Sequence, residues 1–350
     1  MNASRRGPQP HDDHWYRARL VPPGTGQLDL VDLVIDTDAA NEIDDQFAIA
    51  WALLSSHRLR IHGLYAAPFS FAHRRSALPQ APANAAPFNS PAEGMARSHD
   101  EILRVLDLLG IAADARVQRG SEAYLSSLAE PLRSDAVDHL IATARAQRED
   151  RPLYVLVLGC PTNVASALLL APDIAQRVVV VWTSGYPSHA PQVNDSFNLE
   201  QDLLASQWLL DSGVPHVYLP GFQVGAQLRL SHAEMERHVA PCGAIGGALH
   251  RLFTDNPLWP MLGLQSLRDG RNPHSWVIWD MINVAWVLQP DWVPSTLVRT
   301  PWLGADRRWN HVAPEGAASV APRHLMREAY AVERDAIFNA FFAALACAPR

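Results

Sequence analysis

Carboxylates are concentrated in one short stretch of the sequence, VIDTDAANEIDDQFAIAWAL, which covers residues 34–53. Within it, ten consecutive residues contain Asp36, Asp38, Glu42, Asp44 and Asp45. Crowded carboxylates repel one another, so they are stable only when they are protonated or neutralised. A divalent cation is the simplest neutraliser, and calcium accepts carboxylate and carbonyl oxygens in irregular sets of ligands. The stretch therefore predicts a site for a hard cation.

Apolar runs on both sides of the acidic stretch predict the elements that position it. Residues 28–35 read LDLVDLVI, which predicts a buried strand, and residues 46–54 read QFAIAWALL, which suits a buried helix. The acids then lie in the loop between a strand and a helix. Capping of that helix explains one or two of them, because Asp is favoured at helix N-termini. It does not explain five.

Strand and helix patterns alternate along the rest of the chain without a linker or a break in composition. We predict strands at residues 60–67, 153–158, 178–182 and, from weaker patterns, 216–219 and 276–279, and helices at residues 95–109, 163–170 and 337–345. The proline-rich residues 77–94 predict a long loop. The pattern favours a single α/β domain over residues 28–350, with a mainly parallel central β-sheet flanked by helices and a Rossmann-like core. Residues 1–27, interrupted by prolines and glycines, are interpreted as an irregular N-terminal leader.

Two further oxygen ligands are predicted at the same edge of this sheet. Asp280 follows the strand candidate at residues 276–279, and a backbone carbonyl near Leu158 ends the strand at residues 153–158. Ligands of open α/β sheets bind outside the carboxyl ends of the strands, which is where the acidic loop is also expected.

Composition and charge exclude several classes of protein. The net charge is −7 and the 29 Lys and Arg residues are scattered, so we expect no nucleic-acid partner. The sequence has neither a secretory signal nor a long apolar run, which favours a soluble cytoplasmic protein without a membrane partner. Cys160, Cys242 and Cys347 are isolated, which fits structural thiols in a reducing compartment.

Two familiar acidic motifs match poorly. An EF-hand loop that started at Asp36 would need Gly at its sixth position and Glu at its twelfth, where this chain has Asn41 and Phe47. A haloacid-dehalogenase phosphatase has Asp-x-Asp after an apolar strand, as Asp36 and Asp38 do, but the Thr expected two residues later is absent. That fit is partial.

Four segments taken together resemble a known family. VIDTDAANEIDDQFAIA, VLVLGCPTNVASALLLAPDIAQRVVVVW, DSFNLEQDLLASQWLL and WVIWDMINVAWVLQP are similar, in order and spacing, to segments of the inosine-uridine nucleoside hydrolases. The resemblance extends from about Leu28 to Ala344. It implies a nucleoside hydrolase-like fold, one tightly held Ca²⁺ per site, a small nucleoside or riboside substrate, and a homodimer or homotetramer.

The resemblance also implies roles for individual residues. Asp38, Asp45, Asp280 and the main-chain carbonyl of Leu158 correspond to calcium ligands, and Asp36 would support them from behind. Asp44 and Asn198 would hydrogen-bond the sugar. Cleavage of a glycosidic C–N bond builds positive charge on the ribose, which carboxylates stabilise, while the cation lowers the pKa of a bound water. Asp38 is the expected general base, because it would touch both the metal and the water.

The sequence also departs from the family pattern. Five residues, AANEI, separate Asp38 from the Asp pair where the family usually has three, so Glu42 either faces solvent or reaches a substrate hydroxyl. Trp279 replaces a His that is often taken to protonate the leaving base; an indole cannot do so, but it can stack on a flat ring or simply pack. Ser196 replaces a Glu. The candidates to replace that acid, or to wall a base, are His73, His99, His189, His311, Trp309 and Phe69.

We therefore expect hydrolysis of a ribonucleoside or related N-riboside to ribose and free base. Two alternatives remain open. One is a non-catalytic nucleoside- or sugar-binding protein that keeps the pocket and the metal. The other is a hydrolase of a different glycoside that uses the same metal cradle.

Overall fold

The computed structural model describes residues 11–24, 30–79, 81, 88–259, 261, 274–312 and 323–349. The strands are β1 Val31–Thr37, β2 Leu59–Ala66, β3 Val117–Arg119, β4 Leu153–Val157, β5 Val178–Ser184, β6 His216–Pro220, β7 Arg229–Ser231, β8 Ser275–Val277, β9 Ser295–Arg299, β10 Trp302–Leu303, β11 Trp309–Asn310 and β12 Leu325–Ala329. The helices are α1 Asp13–Arg19, α2 Asp44–Leu54, α3 Pro91–Leu108, α4 Asp135–Ala146, α5 Thr162–Leu170, α6 Phe197–Glu200, α7 Leu203–Asp211, α8 His232–Glu234, α9 Gly243–Thr254, α10 Met281–Leu288 and α11 Arg334–Ala346.

Eight of the strands form one central sheet in the order β3-β2-β1-β4-β5-β6-β12-β9. Every neighbouring pair in this sheet is parallel except β12 and β9, which are antiparallel at one edge. The predicted single α/β domain with a mainly parallel sheet is confirmed.

The apolar run at β1 forms a central strand because both faces of the sheet are covered. All seven residues of β1 are buried. Leu33 and Ile35 belong to one apolar core, whereas Val34, which points to the other face, belongs to a second core. This alternation is what a strand requires, and each large aliphatic side chain buried in this way contributes roughly 1.5–3 kcal/mol to folding.

The strand order reverses beside β1. The chain runs from β1 outward to β2 and β3, then returns to pair β4 with the opposite side of β1. The loops that leave β1 and β4 therefore diverge and open a crevice at their carboxyl ends, where doubly wound sheets bind ligands. The acidic stretch enters this crevice directly from β1.

The structure corrects three expectations about elements. The candidate strand at residues 276–279 is the shorter β8, which pairs antiparallel with β7 in a separate two-stranded sheet. Helix α3 begins at Pro91, earlier than predicted, because Ser90 and Glu93 form a capping box. The proline-rich loop is correspondingly shorter, although residue 80 and residues 82–87 of it lie outside the described residues.

The third correction concerns the N-terminal leader. Its interpretation as irregular is wrong for Asp13–Arg19, which form helix α1 with Asp12 as the N-cap. Tyr16 of this helix is fully buried, and its hydroxyl donates to the carbonyl of Gly213 at 2.7 Å. The leader is therefore attached to the domain through α1.

Among the described residues, none of the helices combines the length and the apolar character that crossing a bilayer would require. Cys160, Cys242 and Cys347 are free thiols, as the sequence predicts.

Candidate active site

Three aspartates from two separate elements converge at the crevice. Asp44 and Asp45 occupy the first turn of α2, and Asp280 is the N-cap residue of α10. One carboxylate oxygen from each lies within 4.8 Å of the others, and all three residues are at most 4% exposed. Residues far apart in the sequence therefore form one buried carboxylate cluster.

Asp38 lies beside this cluster, on the loop that leaves β1. One of its oxygens accepts a hydrogen bond from the side-chain amide of Asn41 at 3.1 Å. Gly159, which follows β4, allows this approach, since a Cβ there would come within 2.9 Å of the Asp38 carboxyl carbon. A glycine is thus required where the β1 and β4 loops meet.

Asp36 lies underneath, within β1 itself. It is fully buried, and one oxygen accepts from the amide of Asn163 at the start of α5, at 2.8 Å, while the other has no hydrogen-bond partner among the described residues. The supporting role that the resemblance implies for Asp36 stays a prediction. Asp45 is held from β1 as well, by the hydroxyl of Thr37.

Burial and mutual repulsion dominate the electrostatics of the cluster. Burial raises the pKa of Asp38, Asp44 and Asp280 well above the ordinary value, and neighbouring carboxylates raise it further. Burial also raises the pKa of Asp45 to about 6, against the hydrogen bond from Thr37. Keeping these groups ionised at neutral pH requires a compensating positive charge.

A hard cation fits this donor set. No Lys, Arg or His among the described residues forms an ion pair with Asp38, Asp44, Asp45 or Asp280 within 4.0 Å. The cluster offers only oxygen donors from buried side chains, which is the chemistry that calcium and magnesium select. The structure thus supports an acidic metal-binding cluster without identifying the metal.

The cluster forms the floor of an inner cavity of about 170 Å³. Apart from Asp36, every site residue expected from the sequence lines it: Asp38, Asp44, Asp45, Leu158, Asn198, Trp279 and Asp280. The amide of Asn198 donates to the carbonyls of Leu158 and Thr183, which ties together the ends of β4 and β5. Trp279 packs edge-to-face against Phe222, with ring centroids 6.0 Å apart.

An outer cavity of about 820 Å³ adjoins the inner one. Glu42 and Trp279 line both cavities, and the carboxylate of Glu42 accepts a hydrogen bond from the indole nitrogen of Trp276 at 2.9 Å. Loss of hydration raises the pKa of Glu42 to about 7. The residue added by the longer loop therefore faces the cavities rather than bulk solvent.

The other candidates from the sequence separate into two groups. His73 lines the outer cavity, whereas His99, His189 and His311 line neither cavity. Phe69 is fully buried, and Trp309 packs edge-to-face against Tyr218 with ring centroids 5.5 Å apart, so neither forms a wall of the cavities.

Sequence reasoning missed two arginines, Arg74 and Arg307, which line the outer cavity. Arg74 also lines the inner one. Their shared partner could not be read from the sequence, since both pair with Glu200, more than a hundred residues from each.

The fold and the cluster define an α/β protein with a buried carboxylate site at the switch point of a parallel sheet. The chain belongs to the inosine-uridine preferring nucleoside hydrolase family, whose model matches residues 33–329. That membership places it among the hydrolases that act on N-glycosyl bonds.

Solved structures of nucleoside hydrolases share the fold of this chain. A plant nucleoside hydrolase is 15% identical, with a TM-score of 0.66 over 91% of this chain and 100% of its own. A purine-preferring ribonucleoside hydrolase from Gardnerella vaginalis is 19% identical, with a TM-score of 0.66 over 90% and 98% of the two chains. At these identities the likeness concerns the fold alone.

One curated relative is closer in sequence over a shorter span. An uncharacterised protein of Schizosaccharomyces pombe is 32% identical over 114 residues, which are 32% of this chain and 36% of that protein. The match thus covers little more than a third of the relative, and it carries no activity with it.

Proposed function

We propose that the protein is a calcium-dependent hydrolase that cleaves the N-glycosidic bond of a ribonucleoside or related N-riboside to ribose and free base. The observation that carries this proposal is the buried carboxylate cluster, which opens onto a small polar cavity at the switch point of the sheet. Family membership supplies the reaction class. The position of the candidate residues around the inner cavity supports the roles proposed for them.

The metal would be held by Asp38, Asp45, Asp280 and the carbonyl of Leu158, with Asp36 behind them. All four ligand residues line the inner cavity. Asp44 also lies in the tight group with Asp45 and Asp280, so its carboxylate is close enough to serve either the metal or the sugar. When bound, the cation would neutralise these acids, attract sugar hydroxyls and lower the pKa of a water molecule.

Asp38 would accept the proton of the attacking water. The side-chain amide of Asn41 donates to Asp38 and holds its carboxylate in the wall of the inner cavity. The water oxygen would bond to the anomeric carbon as the C–N bond breaks and its electron pair leaves with the base. The buried negative charge of the cluster would stabilise the oxocarbenium-like ribose during this step.

Asp44 and Asn198 would orient the ribose, because both line the inner cavity, Asp44 from the first turn of α2 and Asn198 from α6. Trp279 lines the inner and outer cavities and would stack on the leaving base. It cannot donate the proton that the departing base takes up. The enzyme therefore needs another proton source or a base that leaves without one.

A panel of nucleosides and aryl ribosides tests the proposal. Purified protein is incubated with each in the presence of calcium, and released reducing sugar is measured. Release from at least one riboside is the expected result. If no riboside is hydrolysed while calcium still raises the melting temperature, the protein is instead a binding protein or acts on a different glycoside.

A further inference from the structure

The mouth of the outer cavity carries a cluster of charged residues that the proposed reaction does not use. Glu200 of α6 has a side chain that is only 6% exposed, and it is contacted by two guanidinium groups and one imidazole. The guanidinium groups of Arg74 and Arg307 each donate to it, and His73 lies 2.9 Å from it. Two permanent positive charges therefore share one carboxylate.

The charge of Glu200 is fully engaged in these contacts. Burial acts to raise its pKa, but hydrogen bonds from His73 and Arg74 outweigh that effect and lower it, so the group is ionised. Of the other acids in the outer cavity, Glu42 is bound to Trp276, and Asp195 is exposed. Among the described residues, neither forms an ion pair with Arg74 or Arg307.

Arg74 is held rigidly in place. Its guanidinium donates to the carbonyl of Asp195 as well as to Glu200, and it lies over the ring of Phe197 at 5.3 Å. The Nη1 group makes no hydrogen bond to any residue that the structure describes. Because Arg74 lines both cavities, this group is available to a ligand that extends from the inner cavity to the outer one.

Arg307 is held in an unusual backbone conformation. Its φ is +61°, in the left-handed region, which is unfavourable for a residue with a Cβ. The hairpin between β10 and β11 would accept a glycine there without this cost. Asn194 fixes the position through its backbone and side-chain nitrogens, which both donate to the Arg307 carbonyl at 2.9 Å. Non-glycine residues in the left-handed region cluster at functional sites, and Arg307 combines this conformation with a position in the cavity wall.

We propose that Arg74 and Arg307 form a subsite for an acidic group, a carboxylate or a phosphate, on the riboside. Guanidinium groups bind both by charge-assisted hydrogen bonds, and Glu200 holds the two groups in place without neutralising both. The inference rests on the proposed function, since it names the class of riboside that this site prefers. The acidic group can be on the leaving base or on the 5′ position of the ribose.

Three matched pairs of substrates test the subsite: uridine and orotidine, nicotinamide riboside and nicotinic acid riboside, and inosine and inosine 5′-monophosphate. The first two pairs place a carboxylate on the base, and the third places a phosphate on the sugar. We expect kcat/KM at low ionic strength to favour the acidic member of at least one pair by about tenfold or more. A preference for the acidic member of less than about tenfold in all three pairs would overturn the proposal.

Substitution of Arg307→Gly separates binding from stability. Glycine relieves the left-handed strain, which offsets the loss of the Arg307–Glu200 ion pair, so the melting temperature should change little. The kcat/KM ratio between the acidic member of a pair and its partner without the acidic group should drop to below about twofold. Arg308→Ala is the matched control, because Arg308 is the next residue and lines neither cavity. That variant should keep the wild-type ratio. An unchanged ratio in Arg307→Gly would contradict the subsite.

The same compounds distinguish failure of the subsite from failure of the proposed function. If the wild type hydrolyses none of the six, the proposed function fails, and the subsite is then judged from binding. In the wild type, the acidic compound of each pair should raise the melting temperature more than its partner without the acidic group. In Arg307→Gly, the two compounds should raise it equally. Equal shifts in the wild type would overturn the subsite independently of catalysis.

Discussion

Asp38 is the residue on which the proposed chemistry most directly depends. Asp38→Asn keeps the shape of the side chain but removes the basic oxygen that would accept the proton of water. We expect kcat to fall about 10²- to 10⁴-fold, while circular dichroism and cooperative unfolding show an intact fold. The matched control is Asp173→Asn, because Asp173 pairs with Arg145 far from the cavities and should leave kcat unchanged. Retained turnover in Asp38→Asn would exclude Asp38 as the base.

Glu42 is expected to act on substrate binding rather than on the chemical step. It lines both cavities, and Trp276 holds one end of its carboxylate. Glu42→Ala removes an acceptor from the cavity wall, so KM should rise about five- to tenfold with a much smaller change in kcat. Steady-state kinetics on the best riboside of the panel measure both. Unchanged KM would assign Glu42 a purely structural role.

A cation site at the acidic residues could be predicted from the sequence, because carboxylates crowded in one loop favour a neutralising cation wherever the loop lies. Which of these carboxylates lie closest together in the fold could only be partly predicted. The structure places Asp44 in the tight group with Asp45 and Asp280, whereas the resemblance assigned Asp44 to the sugar. The Glu42–Trp276 contact joins residues 234 positions apart and has no local signal.

At the scale of elements, strong apolar runs located β1, β4, β5 and α2, because buried strands and helices must be apolar on the faces they bury. The bounds of the short strand β8 could not be predicted, because it has no such apolar run. Its pairing with β7 depends on tertiary contacts, since a run of three residues has no periodicity of its own. Helix α1 was missed because the flanking prolines and glycines obscured it.

Helix α1 should contribute measurably to stability. Tyr16 is buried, Asp13 forms a two-point ion pair with Arg299 at 2.7 Å, and the carbonyl of Leu20 accepts from Arg327 at 2.6 Å. We expect removal of residues 1–20 to lower the free energy of unfolding by about 3 kcal/mol in urea titration. Asp13→Asn alone should cost much less than the truncation, because an exposed ion pair contributes little to stability. A truncated protein as stable as the full chain would show that α1 does not pack as described.

For the whole molecule, buried histidines predict sensitivity to acid. Burial lowers the pKa of His216 to about 3, and neither of its ring nitrogens has a hydrogen-bond partner among the described residues. The unfolded chain binds the proton near pH 6.5, so stability is full above that pH and is lost as pH falls towards 3. The loss from this residue is about 1.4 kcal/mol per pH unit.

Substitution of His216→Phe tests this expectation. Phenylalanine can pack between the rings of Trp182 and Tyr218, which lie about 6 Å from the His216 ring. The free energy of unfolding, measured from pH 7 to pH 4, should fall less steeply in this variant than in the wild type. His189→Phe, at an exposed position, should keep the wild-type slope. Parallel pH profiles for all three proteins would rule out His216 as a source of the acid sensitivity.

The sheet topology brings the site together, since the reversal of strand order beside β1 lets the loops of β1 and β4 open around the carboxylates. The central claim is that these carboxylates hold a metal with which the protein hydrolyses ribosides. Removal of metal by a chelator followed by return of calcium, with released reducing sugar as the readout, tests it most directly. We predict that chelation abolishes sugar release and that calcium restores it. Undiminished hydrolysis after exhaustive chelation would contradict the claim.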